Sequence, residues 1–302
     1  MNNIIRIGTR DSQLALWQAT KVQEELRANG VDSELVPIKS KGDLNTTTPL
    51  YELGIVGIFT KTLDIALLNG DIDIAVHSMK DVPTALPEGI VQTAVLTRGA
   101  TQDILVMKEP VDLDGACTIA TGSIRRKAQW LHRYPHHEVV GLRGNVNTRL
   151  KKLEDSNWAG AIFAKAGLER IHLLPDHYLD LDWMIPAPAQ GAMVIVARKD
   201  DTQAIEASSK LNNHEAQLTT HVERAFLRTV EGGCTAPVGA IAVLSDNQIN
   251  FHGALFALNG SVKYDITEVI NVDEVEGFGE LCAQKVLDAG GSDLMKTLKN
   301  DH

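Results

Sequence analysis

The chain has 302 residues and a formal net charge of −10, which argues against a general binder of nucleic acid or anionic membrane. Its composition is ordinary for a globular protein, 44% hydrophobic and 23% charged, and its length suits two or three domains. It has three cysteines, no zinc-ligand spacing, no secretory signal and no apolar run approaching about 20 residues. These features predict a cytoplasmic protein without metal, disulfide framework or membrane partner.

The first third of the chain alternates between predicted strands and helices. Ser12 can cap a helix that Gly30 ends, and a second helix is predicted over Thr60–Asn69. The predicted strands are Ile4–Gly8, Glu34–Ile38 and Asp71–Val76. This order is typical of a parallel sheet with helical crossovers.

The middle of the chain repeats this organisation. Helices are predicted after Ser123, Asn145 and Ala166, between strands at Ile104–Met107, Thr118–Ala120, Val139–Leu142, Ala161–Ala164 and Met193–Ala197. The sequence therefore predicts two α/β units of similar organisation. The predicted linkers are Thr97–Thr101 and Pro186–Gln190.

The pattern changes after about Asn213. A long helix is predicted over His214–Val230 and a last helix from about Val275 to Ala289, which Gly290 and Gly291 end. Between them lie predicted strands at Ala240–Leu244, Gln248–Leu258 and Ser261–Ile270. This pattern predicts an α+β unit with a mostly antiparallel sheet.

Basic residues are concentrated within residues 120–152, where Glu138 is the only acidic residue. Four arginines lie at predicted strand ends and helix starts: Arg125, Arg126, Arg143 and Arg149. A helix that opens with two arginines opposes its own dipole, so a bound anion would explain them. A solvated charged surface explains the same pattern equally well.

Two further residues could carry chemistry. Asp81 follows a predicted strand, where ligands of open α/β sheets bind, but the segment alone favours a turn residue that bonds its own backbone. Cys234 follows Gly232-Gly233 on an accessible turn, and a thiolate is a good nucleophile. The alternative for Cys234 is a small buried apolar side chain, and the carboxyl end of the preceding helix would not activate it.

Six motifs occur together in order: GTRDSQLALWQ (8–18), DIAVHSMKDVPT (73–84), SIRR (123–126), LRGNVNTRL (142–150), HEAQLTTHVERAFLRTVEGGC (214–234) and PVGA (237–240). Together they make the chain resemble the porphobilinogen deaminase (hydroxymethylbilane synthase) family from about Arg6 to the C-terminal helix. The resemblance implies an α/β fold with two lobes like type 2 periplasmic-binding proteins and a C-terminal α+β domain. The implied domains are residues 1–97 with about 191–210, residues 101–187, and residues 214–302.

The resemblance also implies an activity. The family is a transferase that adds four porphobilinogen units to a dipyrromethane cofactor, releases ammonia at each addition, and frees hydroxymethylbilane by hydrolysis. In this family a cysteine, matched by Cys234, holds the cofactor covalently. Asp81 matches the catalytic aspartate, which would promote loss of the aminomethyl nitrogen and stabilise the cationic azafulvene and pyrrolium. The expected partner is porphobilinogen and the expected state is a monomer.

The implied binding residues are polar or basic and fall into two overlapping sets. The cofactor set is Cys234, Ser78, Lys80, Asp81, Thr121, Ser123, Arg125, Arg126, Arg143, Gly144, Arg149 and Gln190. The substrate set is Arg10, Ser12, Gln18, Arg143, Arg149 and Arg170.

The sequence departs from the family pattern at several places. Glu52 and Val56 stand where relatives carry lysines, which removes an expected anion contact from that loop. Gly122 replaces a common serine, and Pro188-Ala189 precede Gln190 where Val-Gly is commoner, which predicts a stiffer hinge.

Two other functional classes fit the sequence less well. A non-catalytic, two-lobed anion-binding protein would have no use for a cysteine on a third domain. A nucleic-acid binder using residues 125–152 conflicts with the net charge of −10 and with the lack of interleaved aromatic residues.

Overall fold

The computed structural model of the chain describes residues 4–38, 60–231 and 236–300. In these ranges the strands are β1 (Ile5–Thr9), β2 (Ser33–Pro37), β3 (Ile74–Ser78), β4 (Ile90–Val95), β5 (Asp103–Val106), β6 (Thr118–Ala120), β7 (Glu138–Val140), β8 (Gly160–Ala164), β9 (Tyr178–Asp180), β10 (Met193–Arg198), β11 (Val238–Ser245), β12 (Gln248–Phe256) and β13 (Lys263–Asn271). The helices are α1 (Gln13–Ala28), α2 (Lys61–Leu68), α3 (Ile124–Arg133), α4 (Val146–Glu154), α5 (Lys165–Arg170), α6 (Thr202–Ser209), α7 (His214–Glu231), α8 (Phe278–Val286) and α9 (Ser292–Asn300).

Two of the three sheets share one design. The first has the strand order β2-β1-β3-β10-β4 and the second β7-β6-β8-β5-β9. In each order, the second strand (β1 or β6) pairs in parallel with both neighbours, and the fourth strand (β10 or β5) runs antiparallel to both of its neighbours. The predicted mixed α/β class and the two similar units are confirmed, although both sheets are mixed rather than purely parallel.

The chain crosses between the two sheets twice, through the segments predicted as linkers. These segments lie side by side, since the Gly99 amide donates to the Gly191 carbonyl at 3.0 Å. Gly191 has φ +85°, and a Cβ there would lie 2.7 Å from the carbonyl oxygens of Gly99 and Ala100. Only glycine therefore allows this close approach of the two crossings.

The third sheet is fully antiparallel, with the order β11-β12-β13, as predicted. Its apolar face packs against α7, α8 and α9 around a core that includes Phe226, Phe251 and Cys282. The final helix differs from the prediction. Gly290 takes φ +122°, a non-helical value, beside the Tyr264 ring, so the glycine pair kinks the chain within Leu287–Gly291 and the chain continues as α9.

Other differences from the predicted elements are local. The sequence did not predict β4, β9 or α6. Strand β3 begins and ends later in the chain than the predicted strand Asp71–Val76. Its bounds are set by pairing, of Ile74 with Ile7 in β1 and of Ser78 with Met193 in β10. This shift places Ser78 in the strand itself, directly before the turn that carries Asp81.

His77 lies in β3 and is 6% exposed. Burial, and then the charge of Arg10, lower the pKa of His77 from 6.5 to about 4. Since only the unfolded chain binds this proton between those values, the free energy of unfolding should fall by about 3 kcal/mol as pH drops from 6.5 to 4. His77→Met, an apolar replacement of similar size, should remove that loss in denaturant titrations at pH 7.5 and 4.5.

Two comparisons make the His77 measurement decisive. The exposed His136→Gln should keep the wild-type pH dependence. Glu231 acts in the opposite direction, because burial raises its pKa to about 7 and its contribution declines as pH rises from 4.5 to 7. Each variant is therefore compared with wild type at each pH. If the free energy of unfolding of His77→Met falls as much between pH 7.5 and 4.5 as that of wild type, the His77 ring is not a buried neutral group.

Candidate active site

One cleft lies where the carboxyl ends of the parallel strands of both lobe sheets meet. Its volume is about 570 Å³. The first sheet contributes Arg10 and Ser12 after β1, and Ser78, Lys80 and Asp81 at the end of β3. This is the position where open α/β sheets bind ligands.

The second sheet supplies the opposite wall of the cleft. Gly122 and Ser123 follow β6, and Arg143 and Gly144 lie between β7 and α4. Gly144 has φ +117°, and a Cβ there would lie 2.7 Å from Thr148 Cγ2. The tight turn therefore requires glycine and lets the backbone line the cleft.

Three helices begin at this cleft. Ser12 caps α1 and accepts from the Ala15 amide at 3.3 Å, and Ser123 caps α3. Asn145 caps α4 through a 2.9 Å bond from the Thr148 amide. None of these helices has an acidic residue in its first turn. Their positive ends therefore favour an anion in the cleft.

Arg125 and Arg126 already have a partner carboxylate within the protein. Asp103, at the start of β5, is fully buried, and Arg126 Nη2 and Nε donate to its Oδ1 at 2.8 and 3.0 Å. Arg125 Nη2 lies 2.8 Å from Oδ2. Burial alone would raise the pKa of Asp103, but the charges of Arg125 and Arg126, with that of Lys80, lower it to about 2. The arginine pair at the helix start thus has an internal counterion, which the sequence analysis did not identify.

Lys80 is connected to this buried network through Gln190. Its Nζ donates to Gln190 Oε1 at 3.1 Å, and Gln190 Nε2 donates to Asp103 Oδ1 at 2.9 Å and to the Thr101 carbonyl at 2.7 Å. Desolvation, together with the charge of Arg126, lowers the pKa of Lys80 to about 8. Lys80 is therefore largely charged at neutral pH and lies beside the exposed carboxylate of Asp81.

The remaining basic residues of the cleft lie on the second lobe and on β1. Arg149 Nε donates to the Gly144 carbonyl at 2.7 Å, and desolvation lowers the pKa of Arg149 to about 10. Among the residues described, the basic side chains that line the cleft are Arg10, Lys80, Arg125, Arg126, Arg143 and Arg149, and the acidic ones are Asp11 and Asp81. A cleft of this charge suits a ligand with several carboxylates.

Glu223 of α7 joins the two crossings behind the cleft. Its buried carboxylate accepts from Arg98 Nη1 and Nη2 at 2.7 and 2.9 Å and from the Ala189 amide at 2.6 Å. Arg98 Nε in turn donates to the Gln190 carbonyl at 2.9 Å. Ala189 has φ +62°, an unusual value for a residue with a Cβ. One side chain of the third domain thus fixes both inter-lobe segments.

The structure brings most of the predicted site residues to the cleft. Those that line it are Arg10, Ser12, Ser78, Lys80, Asp81, Ser123, Arg125, Arg126, Arg143, Gly144, Arg149 and Gln190. Cys234, Glu52 and Val56 lie outside the described residues.

Three predicted residues lie away from the cleft lining. Gln18 is buried and donates to Ser78 Oγ at 2.9 Å, so it contacts the cleft only through Ser78. Thr121 is buried, and its hydroxyl accepts from the Ser123 amide at 3.3 Å. Arg170 lies over the Trp17 ring and donates to the Gly191 carbonyl at 2.6 Å, beside the crossings.

Asp103 and Asn147 are the site residues that the sequence analysis missed. Asp103 begins the apolar run Ile104–Met107, and a carboxylate at the start of a buried strand signals a partner of opposite charge. Asn147 Nδ2 donates to Gln13 Oε1 at 2.9 Å and so links α4 to α1 between the lobes. That contact has no signal in the sequence, because it depends on how the lobes meet.

The described residues lack two other kinds of functional feature. They contain no group of three His, Cys, Asp or Glu side chains placed to hold a metal ion. No helix among them has both the length and the apolar character needed to cross a bilayer.

Comparison with known proteins matches nearly the whole chain. Residues 5–206 match the family model described as porphobilinogen deaminase, dipyromethane cofactor binding domain, and residues 217–288 match the porphobilinogen deaminase C-terminal domain. A porphobilinogen deaminase of Syntrophotalea carbinolica is 37% identical over 98% of this chain and 96% of its own length. One of Pelobacter propionicus is 39% identical over 97% of this chain and 96% of its own length.

Similar solved structures include solute-binding proteins. An ancestral cationic amino acid solute binding protein is 14% identical, with a TM-score of 0.44 over 69% of this chain and 87% of its own. A periplasmic substrate-binding protein from Coxiella burnetii is also 14% identical, with a TM-score of 0.44 over 73% of this chain and 97% of its own.

Proposed function

Because the chain belongs to the porphobilinogen deaminase family, we propose that it joins four porphobilinogen molecules head to tail on a dipyrromethane cofactor. Each addition releases one ammonia, and hydrolysis then frees hydroxymethylbilane. The chain is accordingly a transferase of tetrapyrrole biosynthesis. The single observation that carries this proposal is a cleft that combines basic side chains, three helix N-termini and the Asp81 carboxylate.

The described cleft fits a bound dipyrromethane. Each pyrrole of the substrate and cofactor carries two carboxylates, so the bound chain is a polyanion. Arg10, Lys80, Arg143 and Arg149 line the walls, and desolvation strengthens the charge interactions inside. When bound, the dipyrromethane supplies the pyrrole position to which the first unit is joined. We assign its covalent attachment to Cys234 on the EGGC motif at 231–234.

Arg125 and Arg126 remain in the proposed cofactor set, with a more specific role. Both are 5% exposed and paired with Asp103. Arg125 Nε is buried and has no hydrogen-bond partner among the described residues. We infer that Arg125 retains donor capacity for a cofactor carboxylate, while Arg126, bonded to Asp103 and the Ile162 carbonyl, mainly shapes the floor of the cleft.

Asp81 is the proposed catalytic residue. It lies at the end of the short 3-10 turn Met79–Asp81, exposed to the cleft between Lys80 and the basic wall. Loss of ammonia leaves positive charge on the substrate pyrrole, and a fixed carboxylate stabilises that charge better than water does. The basic side chains around Asp81 bind the substrate carboxylates and so orient the reacting ring.

The other proposed substrate residues support the same arrangement. Ser12 and Arg10 lie at the start of α1, where a carboxylate can meet the helix N-terminus. Gln18 orients Ser78 through its 2.9 Å bond. Arg170 lies beside the crossings, so its proposed contact with substrate requires the lobes to change their relative position.

The domain boundaries, location and oligomeric state complete the proposal. The three sheets are consistent with domains at residues 1–97 with about 191–210, 101–187 and 214–302. The sparse cysteines suit a reducing, cytoplasmic location. A monomeric state is part of the same proposal.

The intact mass of the purified protein tests the proposed attachment. Wild type should carry an excess mass equal to a covalently linked dipyrrole, and Cys234→Ser should lack it and release no ammonia from porphobilinogen. Cys117→Ser replaces a half-buried thiol that is far from Cys234 in the sequence. This variant should keep both the excess mass and the release of ammonia. An unmodified mass in active wild-type protein would contradict covalent attachment, and absence of ammonia release would favour a non-catalytic anion-binding protein.

A further inference from the structure

Arg224 of α7 is bonded to the turn that carries the proposed catalytic carboxylate. Its Nη1 donates to the carbonyls of Met79 and Val82 at 3.2 and 2.9 Å, and its Nη2 donates to the carbonyl of Pro83 at 2.6 Å. These carbonyls flank Lys80 and Asp81 on both sides. One guanidinium from the third domain therefore spans the backbone of this turn.

Apart from Arg224, the turn is held by the buried side chains of Met79 and Val82 and by two backbone bonds. Met79 is anchored by its buried side chain and by its amide, which donates to the Ala192 carbonyl at 3.0 Å. Val82 closes the turn with a 3.1 Å bond to the Met79 carbonyl. Beyond Val82, the bonds from Arg224 link the backbone to α7.

The chemistry of arginine suits this task. Its planar fork presents several donors in a fixed geometry and remains charged, so three carbonyls can be bound at once. Desolvation lowers the pKa of Arg224, as expected for a guanidinium packed between α7 and the first sheet. Removing it would take this donor from the Val82 and Pro83 carbonyls, while the Met79 carbonyl would keep its bond from the Val82 amide.

We propose that Arg224 is a positioning residue, which fixes the Met79–Pro83 turn so that Asp81 meets the reacting ring in the cleft. This rests on the proposed function, because Asp81 is the group that Arg224 acts through. Helix α7 ends at Glu231, three residues before Cys234 in the sequence. The same helix thus connects the cofactor-attachment segment to the turn of the catalytic carboxylate.

Replacing Arg224 should lower kcat and leave KM nearly unchanged. A misplacement of about 1 Å can cost about 100-fold, so we expect Arg224→Gln to lower kcat by about 10- to 100-fold and to change KM less than about threefold. Arg224→Lys retains a cation without the fork and should fall between Arg224→Gln and wild type. In Arg224→Gln, hydrogen exchange of the 79–83 segment should be faster than in wild type.

Arg228→Gln is the matched control. Arg228 lies one turn further along α7 and, with Arg224, lines a surface pocket beside Met79 and Val82. Its side chain is 55% exposed and pairs with Glu280. It has no bond to the turn, so this variant should keep the wild-type kcat and the wild-type exchange of residues 79–83. Equal losses of kcat in Arg224→Gln and Arg228→Gln would overturn the proposal.

A double-mutant cycle with Asp81→Asn separates positioning from general destabilisation. The residual rate of Asp81→Asn can be followed over hours as stepwise mass increases of the covalently bound chain. If Arg224 acts through Asp81, adding Arg224→Gln should lower that residual rate less than about threefold. A further fall as large as that in the wild-type background would overturn the proposal. If Arg224→Gln does not fold, Arg224→Lys takes its place in the cycle.

The outcome for Arg224 is distinguishable from failure of the proposed function. If wild type neither carries a covalent dipyrrole nor releases ammonia from porphobilinogen, the proposed function is wrong before any variant is compared. If wild type is active and the cycle is additive, only the role of Arg224 is wrong.

Discussion

Asp81→Asn should lower the rate of ammonia release from porphobilinogen by about 10²- to 10⁴-fold while leaving the fold intact. The amide has nearly the same shape as the carboxylate but lacks the charge that stabilises a cation on the substrate pyrrole. Asp81 is exposed at the cleft, so the substitution removes no buried contact. Steady-state assays of ammonia release, with the thermal midpoint measured alongside, give the comparison.

Asp11→Asn is the appropriate comparison for Asp81→Asn. Asp11 is the other described carboxylate that lines the cleft, it is exposed, and it follows β1 on the same wall as Asp81, beside the α1 N-terminus. Its loss should change the rate less than about tenfold, because electrostatic catalysis depends on the placement of the charge as well as its presence. Near-normal turnover in Asp81→Asn would remove Asp81 from the catalytic role.

Asp103→Asn should lower the free energy of unfolding by about 3–5 kcal/mol, the typical cost of removing one partner from a buried ion pair. Arg125 and Arg126 are each 5% exposed and would remain buried without their counterion. Because the pKa of Asp103 is lowered to about 2, its contribution is complete above the unfolded value of 3.8 and is lost only as pH falls towards 2. Denaturant titrations at pH 5 and pH 6.5, where Lys80 is charged in the folded protein, should therefore show the same loss.

Two comparisons isolate the buried charge at Asp103. Asp180→Asn removes the partner of Lys165 in a half-exposed pair and should cost less than about 1 kcal/mol. Adding Arg126→Met to Asp103→Asn should recover part of the lost stability, because one uncompensated cation is removed. A double variant less stable than the sum of its single substitutions would contradict this account.

Much of the fold follows from local patterns in the sequence. The alternation of short apolar runs with helical segments predicted both lobe sheets, and Ser12, Ser123 and Asn145 are helix caps in the structure. The short strand β9 has only three residues and no clear alternation, so local pattern alone could not separate it from a loop. The position of β3 was set by pairing with β1 and β10, which the sequence pattern does not encode.

The sequence predicted most of the residues that belong to the site, but not which side chains pair with one another there. For Arg125 and Arg126, which open a helix against its dipole, the sequence left a bound anion and a solvated charged surface equally open. Asp103 lies 22 and 23 positions earlier in the chain, and only the β5–β8 pairing brings it beneath α3. Arg224 contacts residues more than a third of the chain away, and Glu223 contacts both inter-lobe crossings. These contacts therefore depend on how the domains pack.

The place of β10 in the first sheet also sets an order of assembly during synthesis. The second sheet contains only strands from residues 103–180, so it can close once that contiguous stretch has emerged from the ribosome. The first sheet cannot close then, because β4 pairs only with β10 among the described strands, and β10 ends at Arg198. The N-terminal lobe, although made first, must therefore wait with an unpaired strand until the lobe inserted within it has been translated.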